Sequence, residues 1–298
     1  MYLTKLWKYN PSNNQSLASF WCKLLLILCF FFLSAASIAA TDSAVNKLQQ
    51  QLINAKTEKE QIGAYRNFCW YYRYISLDSC LKYGKLGIDL SKKIKEPKSE
   101  AELTRFIAIS YWHYALEEES LEWIYQSKKI SEQIDDKEGV AYCYDNIGNI
   151  FYSQNILDKA MLNFKQGREI FATNNNNRGV AYSMLHCGWV FLEQKNYDSA
   201  FYCVRKAISL RTQLKDTLGV SIAFYDLGNV FRGYKNYDSA LICYRISIEA
   251  IKKSNLLHNL AGAYHYLAET FRQVNHFDSC QYYANLSLKI AEGFKNYR

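Results

Sequence analysis

The sequence predicts an all-α protein built as a right-handed superhelix of about six helix-turn-helix repeats. The first observation behind this prediction is composition: 298 residues contain only two prolines and 13 glycines, and 49% of them are hydrophobic. This balance excludes a disordered or collagen-like chain. No proline follows Pro97, whereas a loop-rich β-sandwich would need several turn-setting prolines. The second observation is a pattern that recurs every forty residues.

The N-terminal segment has the order of a secretory signal. Three lysines precede an uninterrupted apolar run from Leu24 to Leu33, and small residues follow up to Ala40. We expect a signal peptide over residues 1–39, cleaved after Ala39. The alternative is an uncleaved anchor, because the apolar stretch is just long enough for a bilayer that needs roughly 17 to 25 residues. The protein is therefore expected to be exported, either periplasmic or membrane-tethered on the extracytoplasmic side, with a membrane contact only if the segment is retained.

The forty-residue pattern begins near residue 59 and continues to the end of the chain. Gly139, Gly179 and Gly219 are each followed by Val, and another glycine comes nine residues after each of them. Self-similarity at a fixed period indicates a solenoid. The predicted parts are an N-terminal capping helix over 41–58 and an array over 59–298 with units 59–98, 99–138, 139–178, 179–218, 219–258 and 259–298.

Each unit is predicted to be a pair of helices. In the third unit Tyr144, Ile147, Gly148 and Phe151 fall on one face at helical spacing. A glycine inside a helix costs about 1 kcal/mol against alanine, so we expect close helix packing at Gly148. The second helix is expected to begin near Asp158, because a carboxylate in the first turn interacts favourably with the helix dipole.

This pattern resembles the tetratricopeptide repeat (TPR), whose signature is an aromatic, Leu-Gly, an aromatic, then Ala, an aromatic and a proline. The proline is missing: Ala172, Thr212, Lys252 and Glu292 stand in its place. Each unit is also longer than the usual length of about 34 residues, which is similar to the extended repeats of the MalT-like and kinesin-light-chain-like group. The resemblance implies a concave side, lined by the first helices, that binds an extended partner.

The resemblance places a groove stripe on the first helices, at spacing i, i+4, i+7. The predicted partner-binding residues are Asp145, Asn149, Tyr152, Trp189, Tyr225, Asn229, Arg232, His265, Glu269 and Arg272, with Leu185 and Leu192 on the same stripe. Asn149 and Asn229 are similar to the Leu-Gly-Asn element with which related arrays clamp a peptide backbone. The alternative, given equal weight, is that each of these amides forms a hydrogen bond with a neighbouring helix. Trp189 is a candidate hot-spot anchor.

Several classes of function find no support in the sequence. Three of the 36 basic residues lie in the acid-free first segment, which leaves 33 basic residues interleaved with 28 acidic ones. Because the basic and acidic residues are interleaved, they form no basic stripe, and nucleic acid is not an expected partner. Phosphate-loop and zinc motifs do not occur, and the five scattered histidines are expected at the surface or in the groove rather than in catalysis. We expect no metal, no cofactor and no enzyme activity.

Two functions remain open. The first is an exported, non-catalytic scaffold that binds a protein or peptide ligand in its concave groove. The alternative is the extracytoplasmic sensor portion of a bacterial signal-transduction protein, a histidine kinase or transcriptional regulator, whose output part is absent from this chain. The C-terminal repeat lacks an obvious polar cap, which leaves self-association through that repeat open. Cys203 and Cys243 are expected to be free thiols, because helices one repeat apart lie about 8 to 10 Å from each other.

Overall fold

A computed structural model describes residues 44–254 and 257–295 of the chain. Over these residues every regular element is an α-helix and none is a β-strand. This confirms the predicted all-α class. The predicted signal peptide, residues 1–39, lies outside the described residues. Within the described part of the chain, no helix combines the length and the apolar character that crossing a membrane requires.

The helices fall into two compact units. Helix α1 spans residues 44–53 in the unit that ends at Ala55. The second unit begins at Lys56. Its helices are α2 (Glu58–Tyr72), α3 (Leu77–Lys93), α4 (Pro97–His113), α5 (Glu117–Gln133), α6 (Lys137–Ser153), α7 (Leu157–Thr173), α8 (Asn177–Glu193), α9 (Tyr197–Gln213), α10 (Thr217–Gly233), α11 (Tyr237–Ser254), α12 (Leu257–Gln273) and α13 (Phe277–Lys295).

These helices form six consecutive pairs, from α2–α3 to α12–α13. The two helices of each pair pack against each other, and the second helix packs against the first helix of the next pair. Neighbouring first helices, such as α8 and α10, also approach each other, whereas no Cα atoms of neighbouring second helices lie within 8 Å among the described residues. The first helices therefore lie on the inner side of the array. The fold is a TPR-like solenoid of helix pairs, as the sequence predicts.

Short turns of nearly constant shape connect the helices. Their central residues have left-handed backbone angles, with φ between 54° and 61°. These residues recur every twenty positions from Lys95 through Ala115, Asp135, Asn155, Asn175, Lys195 and Lys215 to Lys235, and Asn275 follows forty positions later. Asparagine tolerates this conformation well, while Lys and Ala pay for it sterically. The regular turns give each pair its period of forty residues.

The recurring glycines have two different roles. The amide of Gly139 donates a hydrogen bond to the Asp136 side chain, which caps the start of α6, and the same cap joins Gly219 to Asp216. Gly148 lies instead where α6 crosses α7: a Cβ atom there would be 2.5 Å from the Phe164 ring. Close packing thus accounts for Gly148, as expected from the sequence.

The cysteines belong to the interior of the array. Of the seven in the described residues, all but Cys280 are buried, and all are free thiols. Cys203 and Cys243 lie on α9 and α11, which do not touch. The prediction of free thiols at these two positions is confirmed.

Candidate functional site

The candidate site is a groove of about 730 Å³ along the inner side of the last four helix pairs. It is formed by the C-terminal halves of α6, α8, α10 and α12, the turns that follow α8 and α10, and the first residues of α9 and α11. The lining residues are Tyr152, Trp189, Leu192, Glu193, Lys195, Tyr197, Tyr225, Asp226, Asn229, Arg232, Gly233, Lys235, Tyr237, Tyr266 and Gln273.

Half of the predicted contact residues line this groove. They are Tyr152, Trp189, Tyr225, Asn229 and Arg232, and Leu192 of the same stripe joins them. The other five lie elsewhere. Asp145 and Asn149 are buried, while His265, Glu269 and Arg272 lie on α12 outside the groove lining.

Asp145 is an interior residue, which corrects its expected place on the groove surface. Its side chain has no exposed area. One carboxylate oxygen accepts a hydrogen bond of 2.9 Å from the Ser183 hydroxyl, and the other lies 2.8 Å from Nδ1 of His186. His186, expected at the surface or in the groove, is also buried. The two residues thus form a polar pair between α6 and α8.

Asn149 is likewise buried, with 4% of its surface exposed. Its Oδ1 has no hydrogen-bond partner among the described residues. A buried amide offers no surface to a ligand in this conformation. The prediction of a direct groove contact at Asn149 is therefore also corrected.

The three residues on α12 form an exposed polar cluster. The guanidinium of Arg272 donates hydrogen bonds of 3.0 and 3.3 Å to the Glu269 carboxylate. These bonds lower the pKa of Glu269. The His265 ring is exposed and lies edge-on to Tyr266. Tyr266, the next residue along α12, is the one that lines the groove.

One half of the groove is built around Trp189. Its ring lies 5.9 Å from that of Tyr152, centroid to centroid, in a tilted arrangement. Its indole Nε1 donates a hydrogen bond of 2.8 Å to Oδ1 of Asp226, which ties α8 to α10. The Tyr152 hydroxyl donates to Glu193 at 3.1 Å. These contacts fix two aromatic faces on neighbouring first helices.

The other half of the groove is built around Tyr225 and Tyr266. Their rings meet edge-to-face with centroids 5.8 Å apart. The guanidinium carbon of Arg232 lies 4.8 Å from the centre of the Tyr266 ring, within the range of a cation–π contact. Asn229 accepts a hydrogen bond of 2.7 Å from the Tyr244 hydroxyl on α11. Of the two alternatives for this amide, the structure thus shows a hydrogen bond between the Asn229 oxygen and a neighbouring helix.

Burial controls the electrostatics beneath the groove. It raises the pKa of the Asp226 carboxyl to about 7, although the Trp189 hydrogen bond and the electrostatic interactions with His186 and Arg211 act in the opposite direction. Burial likewise raises the pKa of Tyr152 and Tyr225. Both tyrosine hydroxyls therefore keep their protons at neutral pH and can donate hydrogen bonds.

The groove also contains residues that the sequence did not single out. Asp226 and Tyr266 come one position after the predicted stripe, and Lys195 and Lys235 are the left-handed residues of two turns. The twenty-residue spacing of the turns is a signal that could have located the two lysines. The lining can supply aromatic faces, hydrogen-bond donors and a basic edge. Over the described residues, no group of His, Cys, Asp and Glu side chains could hold a metal ion.

Comparisons with known proteins rest on structure. No protein-family model matches the sequence, and no curated protein matches it. The chain is similar to a Rap protein solved with Competence and Sporulation Factor, with a TM-score of 0.71 and 17% identity over 91% of this chain and 74% of that one.

Two further solved structures are similar over most of this chain. One is NprR in complex with its cognate peptide NprX, with a TM-score of 0.59, 13% identity, and coverage of 90% of this chain and 79% of that one. The other is a signal-transduction ATPase with a tetratricopeptide repeat sensor from Pyrococcus horikoshii, with a TM-score of 0.54, 14% identity, and coverage of 85% and 40%. The chain thus has the TPR-like helical-repeat fold.

Proposed function

We propose that this protein is a non-catalytic scaffold that binds a peptide, or an extended segment of a protein, in the groove of its last four helix pairs. The observation that carries the proposal is the pair of aromatic contacts, Tyr152 with Trp189 and Tyr225 with Tyr266, presented on four successive first helices. An extended chain laid along the array would meet each of them in turn.

The size and chemistry of the groove fit such a ligand. Its volume of about 730 Å³ falls within the range of about 300 to 1,000 Å³ that is usual for ligand sites. Tryptophan, tyrosine and arginine are the residues that most often dominate binding energy at interfaces. Lys195, Arg232 and Lys235 outnumber the one exposed carboxylate, Glu193. The proposal therefore favours peptides that combine apolar side chains with acidic ones.

The structural neighbours support the same reading. The Rap structure holds Competence and Sporulation Factor, and the NprR structure holds its cognate peptide. Both proteins share this fold over about nine-tenths of the chain. At 13 to 17% identity they lend support to the class of ligand but not to its sequence.

We further propose that the scaffold acts outside the cytoplasm. The support is the order of lysines, apolar residues and small residues within 1–39. N-terminal sequencing of the exported protein from a bacterial host tests this: a start at Ala40 supports a cleaved signal, and a retained Met1 in the cytoplasmic fraction contradicts export. A retained Met1 in the membrane fraction supports the tethered form instead.

The binding proposal is tested with a displayed library of random peptides. Selected peptides are labelled, and their dissociation constants are measured by fluorescence anisotropy with the native chain and with Tyr266→Ala and Arg232→Gln. We expect each substitution to weaken binding about 10- to 100-fold, in the range of interface hot spots.

The matched control is Tyr202→Ala. Tyr202 lies on the second helix α9, away from the groove lining, and is 66% exposed. Its removal is expected to leave the dissociation constants unchanged. Circular dichroism confirms that each variant is folded. Selected peptides that bind all variants equally, or lose affinity only with Tyr202→Ala, would place binding on another surface.

A further inference from the structure

The first helix pair contains two thiols in direct contact. Cys69 on α2 and Cys80 on α3 have their Sγ atoms 3.3 Å apart, and neither side chain is exposed. The Cys80 thiol also lies 3.6 Å from the Cys69 carbonyl oxygen. A disulfide requires about 2.0 Å between the sulfurs and closely spaced backbones. Because the Cys80 thiol contacts the α2 backbone, the backbones of the two cysteines lie close together, as a disulfide requires.

The position of Cys80 in the repeat explains why the two backbones lie close. Counted by forties, it corresponds to Ser120 and to Ala160, both buried where the helices of a pair cross. Only small side chains fit there. Other buried thiols are placed differently: Cys203 and Cys243 lie on helices that do not pack against each other, and Cys143 meets the hydroxyl of Ser127.

We propose that Cys69 and Cys80 are a disulfide-forming pair, which a disulfide-containing oxidant converts into a covalent link between α2 and α3. The thiolate of one cysteine attacks the oxidant disulfide and releases its first thiol. The second cysteine then attacks the mixed disulfide and releases the second thiol. Two electrons pass to the oxidant, whose two sulfurs take up the two protons, and one S–S bond replaces another.

The link would reinforce one of the two end pairs of the described array, which have fewer neighbours than the inner pairs. Among the described helix pairs of the array, α2–α3 packs against one neighbouring pair, whereas inner pairs pack against two. Repeat arrays gain stability from each interface between neighbouring repeats. A cross-link that closes a short loop between α2 and α3 restricts the unfolded chain and so favours the folded pair.

The environment of the pair also determines when the bond forms. The hydrogen bond with Cys80, together with burial, raises the pKa of the Cys69 thiol. Thiolate is the attacking species, and neither thiol is exposed to an oxidant, so oxidation of the folded pair is slow. We expect the bond to form while the chain folds, or when α2 and α3 separate.

The experiment refolds the full chain from urea in oxidised or in reduced glutathione, followed by acid quenching, alkylation and tryptic peptide mapping by mass spectrometry. Trypsin cleaves after Arg73, so the two cysteines fall in separate peptides, 67–73 and 74–82. Oxidised samples are expected to yield these peptides as one linked species that lacks two hydrogens. Reduced samples are expected to yield both peptides alkylated.

Two variants make the test specific. Cys80→Ala introduces the residue found at the equivalent position of three later units. It is expected to fold and to give peptide 67–73 unlinked to peptide 74–82 in every buffer, with Cys69 either alkylated or carrying glutathione. Cys203→Ala removes another buried thiol and is expected to retain the link. The oxidised native chain is expected to unfold at a higher temperature than the reduced chain, a difference absent from Cys80→Ala.

The proposal is overturned if peptides 67–73 and 74–82 remain unlinked after refolding in oxidised glutathione, whether their cysteines are alkylated or carry glutathione. A link from Cys69 to a cysteine other than Cys80 overturns it as well. Equal unfolding temperatures of the linked and reduced chains overturn the stabilising role.

Discussion

Replacing Asp226 with Asn removes a buried carboxylate and keeps an oxygen that can accept the hydrogen bond from Trp189. In the native chain this oxygen is 2.8 Å from the indole nitrogen, and Asp226 is 1% exposed. The substitution therefore changes the charge under the groove with little change in shape. Its effect on stability must depend on pH, because only the acid titrates.

The magnitude follows from the pKa of the buried carboxyl, about 7 against an ordinary value of 3.8. Since the folded-state pKa is raised, the native state keeps a proton that the unfolded state has lost between these two values. The stabilisation is fully present below about pH 4 and is lost as the pH rises through 7. Each pKa unit corresponds to about 1.4 kcal/mol, so the whole loss is about 4 kcal/mol, of which about 3 kcal/mol falls between pH 5 and 8.

Urea unfolding, followed by circular dichroism at pH 5, 6, 7 and 8, measures this effect. The free energy of unfolding of Asp226→Asn is expected to rise relative to the native chain by about 3 kcal/mol between pH 5 and 8. The control is Asp158→Asn, an exposed acid in the first turn of α7, whose removal is expected to have a small effect at both ends of the range. Parallel pH curves for Asp226→Asn and the native chain would refute the reasoning, since they would mean that nearby positive charges fully offset burial.

Two further substitutions test the packing and the turns. Gly148→Ala is expected to destabilise the chain by about 1 to 3 kcal/mol, because its Cβ would be 2.5 Å from the buried Phe164 ring. At Gly188, the atom nearest to an added Cβ belongs to Val204 and would be 3.3 Å away. Gly188→Ala is therefore expected to be neutral or stabilising, and thermal unfolding of both variants checks the difference; equal losses would contradict it. Ala115→Gly is expected to raise the free energy of unfolding by up to about 1 kcal/mol in urea titrations, because Ala115 has a φ of 57°. A free energy of unfolding below that of the native chain would show that the flexibility of glycine in the unfolded chain outweighs the relieved strain.

The fold could be predicted because its signals are local and repeated. Gly148 and Phe151 belong to a pattern that returns every forty residues, and a helix pair needs little else to be specified. The turns were harder to predict, since residues such as Lys195 and Ala115 do not favour a left-handed backbone. Twenty-residue spacing, rather than residue type, identifies them.

The groove could be predicted only in part, because it depends on how each helix is rotated against its neighbours. Tyr225 and Asn229 reach the groove from the predicted stripe, but Asp226 and Tyr266 do so from the adjacent position. Asp145 occupies the predicted stripe and is nevertheless buried, because His186 on the next first helix offers a polar partner. Such partnerships join different units, so a pattern read along one helix does not reveal them.

The wide backbone separation of neighbouring second helices in the described array has a mechanical consequence. Adjacent pairs are coupled mainly by the packing of each second helix against the next first helix, and also by the first helices on the inside, so a junction can tilt without pulling two second helices apart. A slight tilt at each of three successive junctions would add up along the groove. Such tilts would change the distance between Tyr152 and Tyr266, and with it the length of peptide that the proposed site accepts.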